Sequence, residues 1–239
     1  LQFSFSIQYR ADTGSDEGLL RALKDIGLST VFIGVESGVD SVLKRFDKGI
    51  KKNNLTSALR IVRDLDFNLI AGYMLYNPGT TFEELKESIA YLLDSEAPFI
   101  QDLHGMNLLK GTREENLVRD MGILVSRDLK VNYSIKDKKV AAFVDALRHY
   151  FPIYRSVVLD IYELLFLLVR LPEEIQEEKK AIDDKIRALH NRFLIQSIAA
   201  IEQGIFHEKE LLESLQAEFK ALTTESSQLV KKGRESIRD

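Results

Sequence analysis

The residues of this chain best placed for chemistry are Glu36 and Ser37, where the apolar run 31–35 gives way abruptly to polar sequence. A carboxylate and a hydroxyl side by side can accept hydrogen bonds from sugar hydroxyls or from an ammonium group. Arg10, close behind Gln8, and Lys48, downstream of Glu36, can neutralise a carboxylate or a phosphate. Asn77 beside Tyr76, and Asn107 and Lys110, stand in the same relation to two later apolar runs. Pro78-Gly79-Thr80-Thr81 offers backbone groups against which a flat base could lie. From spacing alone, Glu36 and Lys48 fit a surface ion pair equally well.

These side chains need elements to carry them. Residues 1–10 put Phe3, Phe5 and Ile7 on one face and Ser4, Ser6 and Gln8 on the other, the period of a strand. Ser15 or Asp16 is placed to cap a helix over 17–26, with Leu19, Leu20, Leu23 and Ile26 at helical spacing and Gly27 ending it. A second strand over 30–35 is followed by a helix carrying Val39, Val42, Leu43 and Phe46. Another helix follows at about 53–66, with Leu55, Leu59, Ile61, Val62 and Leu65 inward. The small and apolar residues of 68–75 predict a third strand buried on both faces. Residues 76–81 make a turn, and 82–93 a helix with Glu83 and Glu84 in its first turn. Residues 99–109 are expected as a fourth strand, before a helix opened by Gly111-Thr112 and closed by Gly122. Strand–helix units recurring at about 30–40 residues imply crossovers and a parallel sheet. In such folds ligands bind at the C-terminal ends of the strands, so the candidate residues would share one rim.

After about residue 130 the pattern turns helical over 140–150, 153–171, 173–205 and 209–232. Pro152, Pro172 and Gly204 interrupt this pattern as breakers, which predicts a hairpin or bundle. Phe143, Leu147 and Tyr150 form one stripe and Ile182, Ile186, Leu189 and Phe193 another, both read as helix–helix core. The charged cluster 173–180 reads as a solvated face.

Composition closes off several classes of function. A net charge of −4 leaves no dominant basic face, so no nucleic-acid partner is expected. The most apolar stretch, 157–171, is interrupted by Asp160, Glu163 and Arg170 and falls short of the roughly 18 uncharged residues of a membrane span. Cys is absent. Disulfides, thiolate nucleophiles and thiolate-bound metal centres are therefore beyond this chain's own residues, and the absence fits a cytoplasmic protein. The histidines 104, 149, 190 and 207 show no paired metal spacing, and no metal site is expected. Because the chain starts at Leu1 inside a strand pattern, an upstream part of the same polypeptide is expected.

Over residues 1–124 four segments together carry a resemblance. They are Gln8-Tyr9-Arg10-Ala11-Asp12, Phe32-Ile33-Gly34-Val35-Glu36-Ser37-Gly38-Val39-Asp40 running on to Lys48-Gly49, Ala71-Gly72-Tyr73-Met74-Leu75 through Pro78-Gly79-Thr80-Thr81, and Leu109-Lys110-Gly111-Thr112 up to Met121-Gly122. In that order and spacing, the chain resembles the second half of a radical S-adenosylmethionine (SAM) barrel, of the branch with an upstream cobalamin-binding domain. The resemblance implies an α/β fold, with residues 1–130 as the C-terminal part of a parallel (β/α)6 barrel and 131–239 as a helical C-terminal domain. It implies SAM, a 4Fe–4S cluster ligated outside this chain, and cobalamin as cofactors, and a small-molecule or peptide substrate. By position, Glu36 and Ser37 match the family's ribose motif and Lys48 the basic residue that meets the methionine carboxylate. Gln8 and Arg10 match a strand tip facing the SAM and substrate cavity, and Gly72 to Pro78 the strand whose backbone supports the adenine. Tyr76 and Thr80 depart from the Gly and Glu frequent in that last motif. The CxxxCxxC cluster loop and the first two strands are not in this chain. Two other readings are compatible with the residues: a non-catalytic scaffold whose helices bind a partner, and a lyase or aldolase using Lys48 or Lys110 as a Schiff-base amine.

Overall fold

In the computed structural model, the alternation near the N-terminus becomes β1 (Phe5–Tyr9), with Phe5, Ile7 and Tyr9 half-buried and Ser6 and Gln8 exposed. The structure describes residues 4–11, 16–47, 49–94, 103–127, 130–167 and 171–237. β2 (Leu28–Glu36) pairs in parallel with β1 on one side and with β3 (Asn68–Tyr73) on the other. Between them run α1 (Glu17–Asp25), then α2 (Asp40–Arg45) and α3 (Lys52–Asp64), with α4 (Phe82–Asp94) after β3. Successive strand residues point to opposite faces, and the burial follows suit. Val31, Ile33 and Val35 are at most 1% exposed and pack with Leu55, Val62 and Leu85 of the helices. Phe32, Gly34 and Glu36 are half-buried and line the other, open face.

The expected helix starts and stops hold at α1, where Asp16 Oδ1 accepts the Leu19 N–H at 2.9 Å. Its apolar set does not. Leu20 is buried, but Leu19 and Ile26 are 52% and 65% exposed. β1 is the sheet's edge among the described residues, so no described strand lies beyond it to extend the core under those two side chains.

Only part of the fourth strand expected over 99–109 falls among the described residues. Residues 95–102 lie outside the described residues, and 103–106 continue the sheet beside 74–76 through Leu75 N–H to His104 O (2.9 Å) and Met106 N–H to Tyr76 O (2.8 Å). The chain then leaves this sheet. β4 (Leu108–Leu109), β5 (Leu124–Arg127) and β6 (Lys130–Tyr133) form a separate antiparallel sheet in the order β4-β6-β5. α5 (Arg113–Asp120) covers it over Leu108, Val118, Ile123 and Val131. The β5–β6 hairpin was not anticipated: its strands are four residues each and carry little apolar alternation. β6 also runs across the boundary expected at 130, and the helical part begins only at α6 (Lys138–Leu167).

Pro152 was expected to end a helix, yet α6 runs through it. An interior proline costs about 3 kcal/mol. Val140, Phe143, Tyr150, Tyr154 and Val157 are all fully buried on the same helix, each contributing on the order of 1.5–3 kcal/mol, so packing outweighs the break. Pro172 and Gly204 do separate helices. α7 (Glu173–Gln203) starts after the one and ends at the other, whose left-handed φ of 71° lets Ile205 N–H reach Ala200 O at 3.0 Å. α8 (Glu208–Ser236) returns along α6 and α7.

Polar contacts tie the helices to the sheet layer. The Asp137 carboxylate accepts Lys139 N–H (2.9 Å) and Val140 N–H (3.2 Å) at the start of α6, and Phe82 N–H (3.0 Å) at the start of α4. One side chain thus caps two helices from the two regions. Lys86 of α4 also pairs with Glu202 of α7 at 2.7 Å. Among the described residues no helix is long and apolar enough to cross a membrane.

Candidate functional site

The end of β2 is irregular in a way that aims Glu36. The ladder with β3 slips between Gly34, opposite Gly72, and Glu36, opposite Tyr73. Such bulges redirect a side chain, and Glu36 takes a left-handed φ of 63°, uncommon outside glycine. Its carboxylate folds back over Gly34, where an added Cβ would lie 3.1 Å from Oε1. Its carbonyl stays in the sheet, accepting Met74 N–H at 2.9 Å.

The turn after Glu36 is locked from below. The buried Tyr73 hydroxyl accepts Gly38 N–H at 3.0 Å and shares a hydrogen bond with Ser88 Oγ at 2.7 Å. Burial pushes the Tyr73 phenol up to about 12, so it stays protonated. Gly38 is seated against the Tyr91 ring, which stacks with Tyr73 at 6.4 Å between centroids. Ser37 is 1% exposed, and its Oγ accepts Val39 N–H at 3.2 Å. The structure therefore gives the Ser37 side chain to the turn and leaves Glu36 as the group facing the open side.

Gln8 lies opposite Phe32 in the β1–β2 register and shares the open face with it. Arg10 is exposed just beyond the end of β1. Gly72 is also on this face, under the Phe32 ring, which an added Cβ would approach to 2.7 Å. Pro78 is buried in a turn held by its neighbours. Asn77 N–H donates to Thr80 Oγ1 (2.8 Å), and Asn77 Oδ1 accepts Gly79 N–H (2.9 Å). Thr81 and Glu84 cap α4 reciprocally, Thr81 Oγ1 accepting Glu84 N–H (3.2 Å) and Glu84 Oε2 accepting Thr81 N–H (3.1 Å). Lys48 lies outside the described residues. Asn107 and Lys110 are exposed, beyond the parallel strands.

Sequence reading missed the group that joins these turns. Arg45 at the end of α2 donates to Asn77 Oδ1 (3.1 Å) and to Glu84 Oε1 (2.6 Å), which also accepts the Ser41 hydroxyl (2.8 Å). Burial raises the Glu84 carboxyl, but Ser41, the Thr81 N–H and Arg45 together bring it below its ordinary value. The T-x-x-E pattern from Thr81 to Glu84 was the available signal, though nothing in the sequence ties it to Arg45. Among the described residues no group of three His, Asp or Glu could hold a metal ion.

A three-stranded parallel sheet followed by long helices is a fold this chain shares with part of a solved cobalamin-dependent SAM radical enzyme. The chain superposes over its whole length on 43% of OxsB, described as a cobalamin-dependent SAM radical enzyme with aqua-cobalamin and SAM bound, at a TM-score of 0.65 and 15% identity. A second OxsB structure, with aqua-cobalamin alone, gives 0.64 over 97% of this chain and 43% of that chain, at 16% identity. In sequence, the chain is 36% identical over 72 residues to 4′-phospho-dehydrooxetanocin synthase of Priestia megaterium, a stretch of 30% of this chain and 10% of that protein. It is 27% identical over 81 residues to a putative methylthiotransferase of Methanocaldococcus jannaschii, 34% of this chain and 18% of that one. No family model matches the chain. It spans less than half of each of these relatives. The radical SAM resemblance expected from the four segments is thus found in fold and in sequence alike.

Proposed function

We propose that this chain is the C-terminal part of a radical SAM enzyme acting on a small molecule, with the part before α6 belonging to a (β/α) barrel and the part from α6 onward a helical domain, and that its open sheet face holds SAM. The observation that carries this reading is Glu36: a charged side chain held in left-handed backbone at a strand end, with its carboxylate turned onto the open face. Backbone strain of this kind persists where the surroundings impose it, and it clusters at ligand sites.

The neighbouring residues fit a nucleoside. Gly34 and Gly72, paired across β2 and β3, let the Glu36 carboxylate and the Phe32 ring lie close against the open face. Glu36 would accept the ribose hydroxyls, and the backbone from Gly72 to Pro78 would lie along the adenine. Arg10 and Lys48 would meet the methionine carboxylate, and Gln8 would face the substrate side. SAM, reduced by a cluster, supplies a 5′-deoxyadenosyl radical. The chain has no cysteine to ligate a 4Fe–4S cluster, so its own part is binding and orientation. Cobalamin, named for OxsB, is proposed as a cofactor of the intact enzyme without any residue of this chain assigned to it.

Calorimetric titration of the chain with SAM tests the reading. Hydrogen bonds to a charged acceptor contribute about 1.5–3 kcal/mol, so Glu36→Gln is expected to weaken SAM binding about ten- to hundredfold. Glu36→Gly should weaken it at least as much while raising stability to urea by about 0.5–1 kcal/mol, because it relieves a left-handed side-chain residue. Equal SAM affinity in wild type and Glu36→Gln would remove Glu36 from the site and the reading with it.

A further inference from the structure

One cavity lies beside the segment proposed for the adenine and shares only Tyr76 with it. It lies between the strand segment that follows β3 in the sheet, β6 and the first half of α6, and measures about 340 Å³. It adjoins the rim of the sheet, since Tyr76 in its wall is three residues past the end of β3 and His104 bridges to Met74. A second cavity of about 440 Å³ shares Asn132, Tyr133, Ile135, Val144 and Arg148 with it, so the two form a groove.

The inner wall is apolar, with Leu103, Leu108, Val131, Val144 and Leu147 all buried. Two groups break that surface. The Tyr76 ring is seated on Gly105, where an added Cβ would come within 2.2 Å of it, so the phenol has a fixed direction. Burial raises the Tyr76 phenol, which keeps it a neutral O–H donor, and that hydroxyl makes no hydrogen bond among the described residues. Arg148 Nη1 donates to Asp145 Oδ1 at 2.8 Å, which leaves the rest of its donor fork available. Tyr133 is already committed, its hydroxyl donating to Met106 O at 2.8 Å. The Arg148–Asp145 pair has both side chains more than half exposed, so it holds Arg148 weakly and an incoming anion can compete for it.

We propose that this cavity binds a small molecule with an oxyanion, carboxylate or phosphate, on an apolar body. The oxyanion lies between the Arg148 guanidinium and the Tyr76 hydroxyl, and the body lies against Leu103, Leu147 and Phe151. The radical SAM reading enters only in making that molecule the substrate; the binding itself stands apart from it.

Binding of benzoate, phenyl phosphate and neutral benzamide to the full chain without SAM, followed by NMR titration, tests this. At least one anion should bind wild type about tenfold or more tightly than benzamide does, and the tighter anion tells carboxylate from phosphate. Arg148→Gln, a change at an exposed residue, should weaken that anion about tenfold and leave SAM affinity and urea midpoint unchanged. Tyr76→Phe should weaken it less. The proposal is overturned if neither anion binds, if benzamide binds as well as the anions, or if Arg148→Gln binds the anion within twofold of wild type. Loss of the Glu36 effect on SAM with anion binding intact would remove the SAM reading and leave the cavity standing, and the reverse pattern would do the opposite.

Discussion

Replacing Gly38 with alanine is expected to destabilise the chain by about 3 kcal/mol and, with it, to abolish the proposed SAM binding at moderate urea. The added methyl would sit 2.0 Å from the Tyr91 ring and 2.5 Å from its Cβ. Overpacking typically costs 1–3 kcal/mol, and the upper end of that range applies because Tyr91 of α4 is buried against the turn. The clash cannot be relieved by a flexible side-chain tip, so the turn must lift. That would weaken the hydrogen bond from Gly38 N–H to the Tyr73 hydroxyl and release the backbone that holds Glu36. Gly49→Ala provides the comparison. Its φ is 64°, with nothing within 4 Å of an added Cβ, so only the backbone term of about 1 kcal/mol remains. Urea denaturation should rank Gly38→Ala well below Gly49→Ala. Equal midpoints would mean that packing against Tyr91 does not hold the turn.

Much of the parallel sheet is legible from the chain because each strand is bounded by a change of period and a glycine or polar break. The apolar run 31–35 could be assigned to a buried strand, though not which of its residues face the helices. Glu36 could be placed at a strand end by the abrupt loss of apolar residues after Val35. What could not be read is the bulge, because the ladder slip arises from how Tyr73 and Ser88 pull the Glu-Ser-Gly turn inward, a contact between residues distant in sequence. The same slip explains Ser37. Its hydroxyl looks functional beside Glu36, but the turn folds it under, where it bonds to Val39. Pro152 misleads for a related reason, since a local breaker is judged without the buried aromatic residues on either side of it. The Arg148–Tyr76 cavity was invisible because its two polar groups come from different regions, and α6 brings them together only once Asp137 has fixed it against α4.

Acidification is expected to weaken the helical bundle through His190. This residue is enclosed by Tyr150, Tyr154 and Phe219, with ring centroids 5.6, 4.7 and 6.0 Å away, and its Nδ1 is 2.9 Å from the Tyr150 hydroxyl. Burial pushes the imidazole down to about 3 from its ordinary 6.5, and pushes the Tyr150 phenol far up, so both are neutral in the folded chain. Between those two values the unfolded chain carries one more proton at this residue than the folded chain. Stability from His190 is therefore complete above pH 6.5 and is lost as pH falls toward 3. With each pH unit equivalent to about 1.4 kcal/mol, the loss between pH 7 and pH 5 comes to about 2 kcal/mol. That interval lies above the ordinary carboxylate range, and Asp183 on α7, which burial pushes up, acts in the opposite sense, so the wild-type loss cannot come from it. His190→Phe combined with Tyr150→Phe removes both hydrogen-bonding partners together and keeps the aromatic packing, so the cost at neutral pH should be small. Urea denaturation at pH 7 and pH 5 should show the 2 kcal/mol loss in wild type and its absence in the double variant. A pH slope that survives in the double variant would assign acid sensitivity to groups outside this cluster.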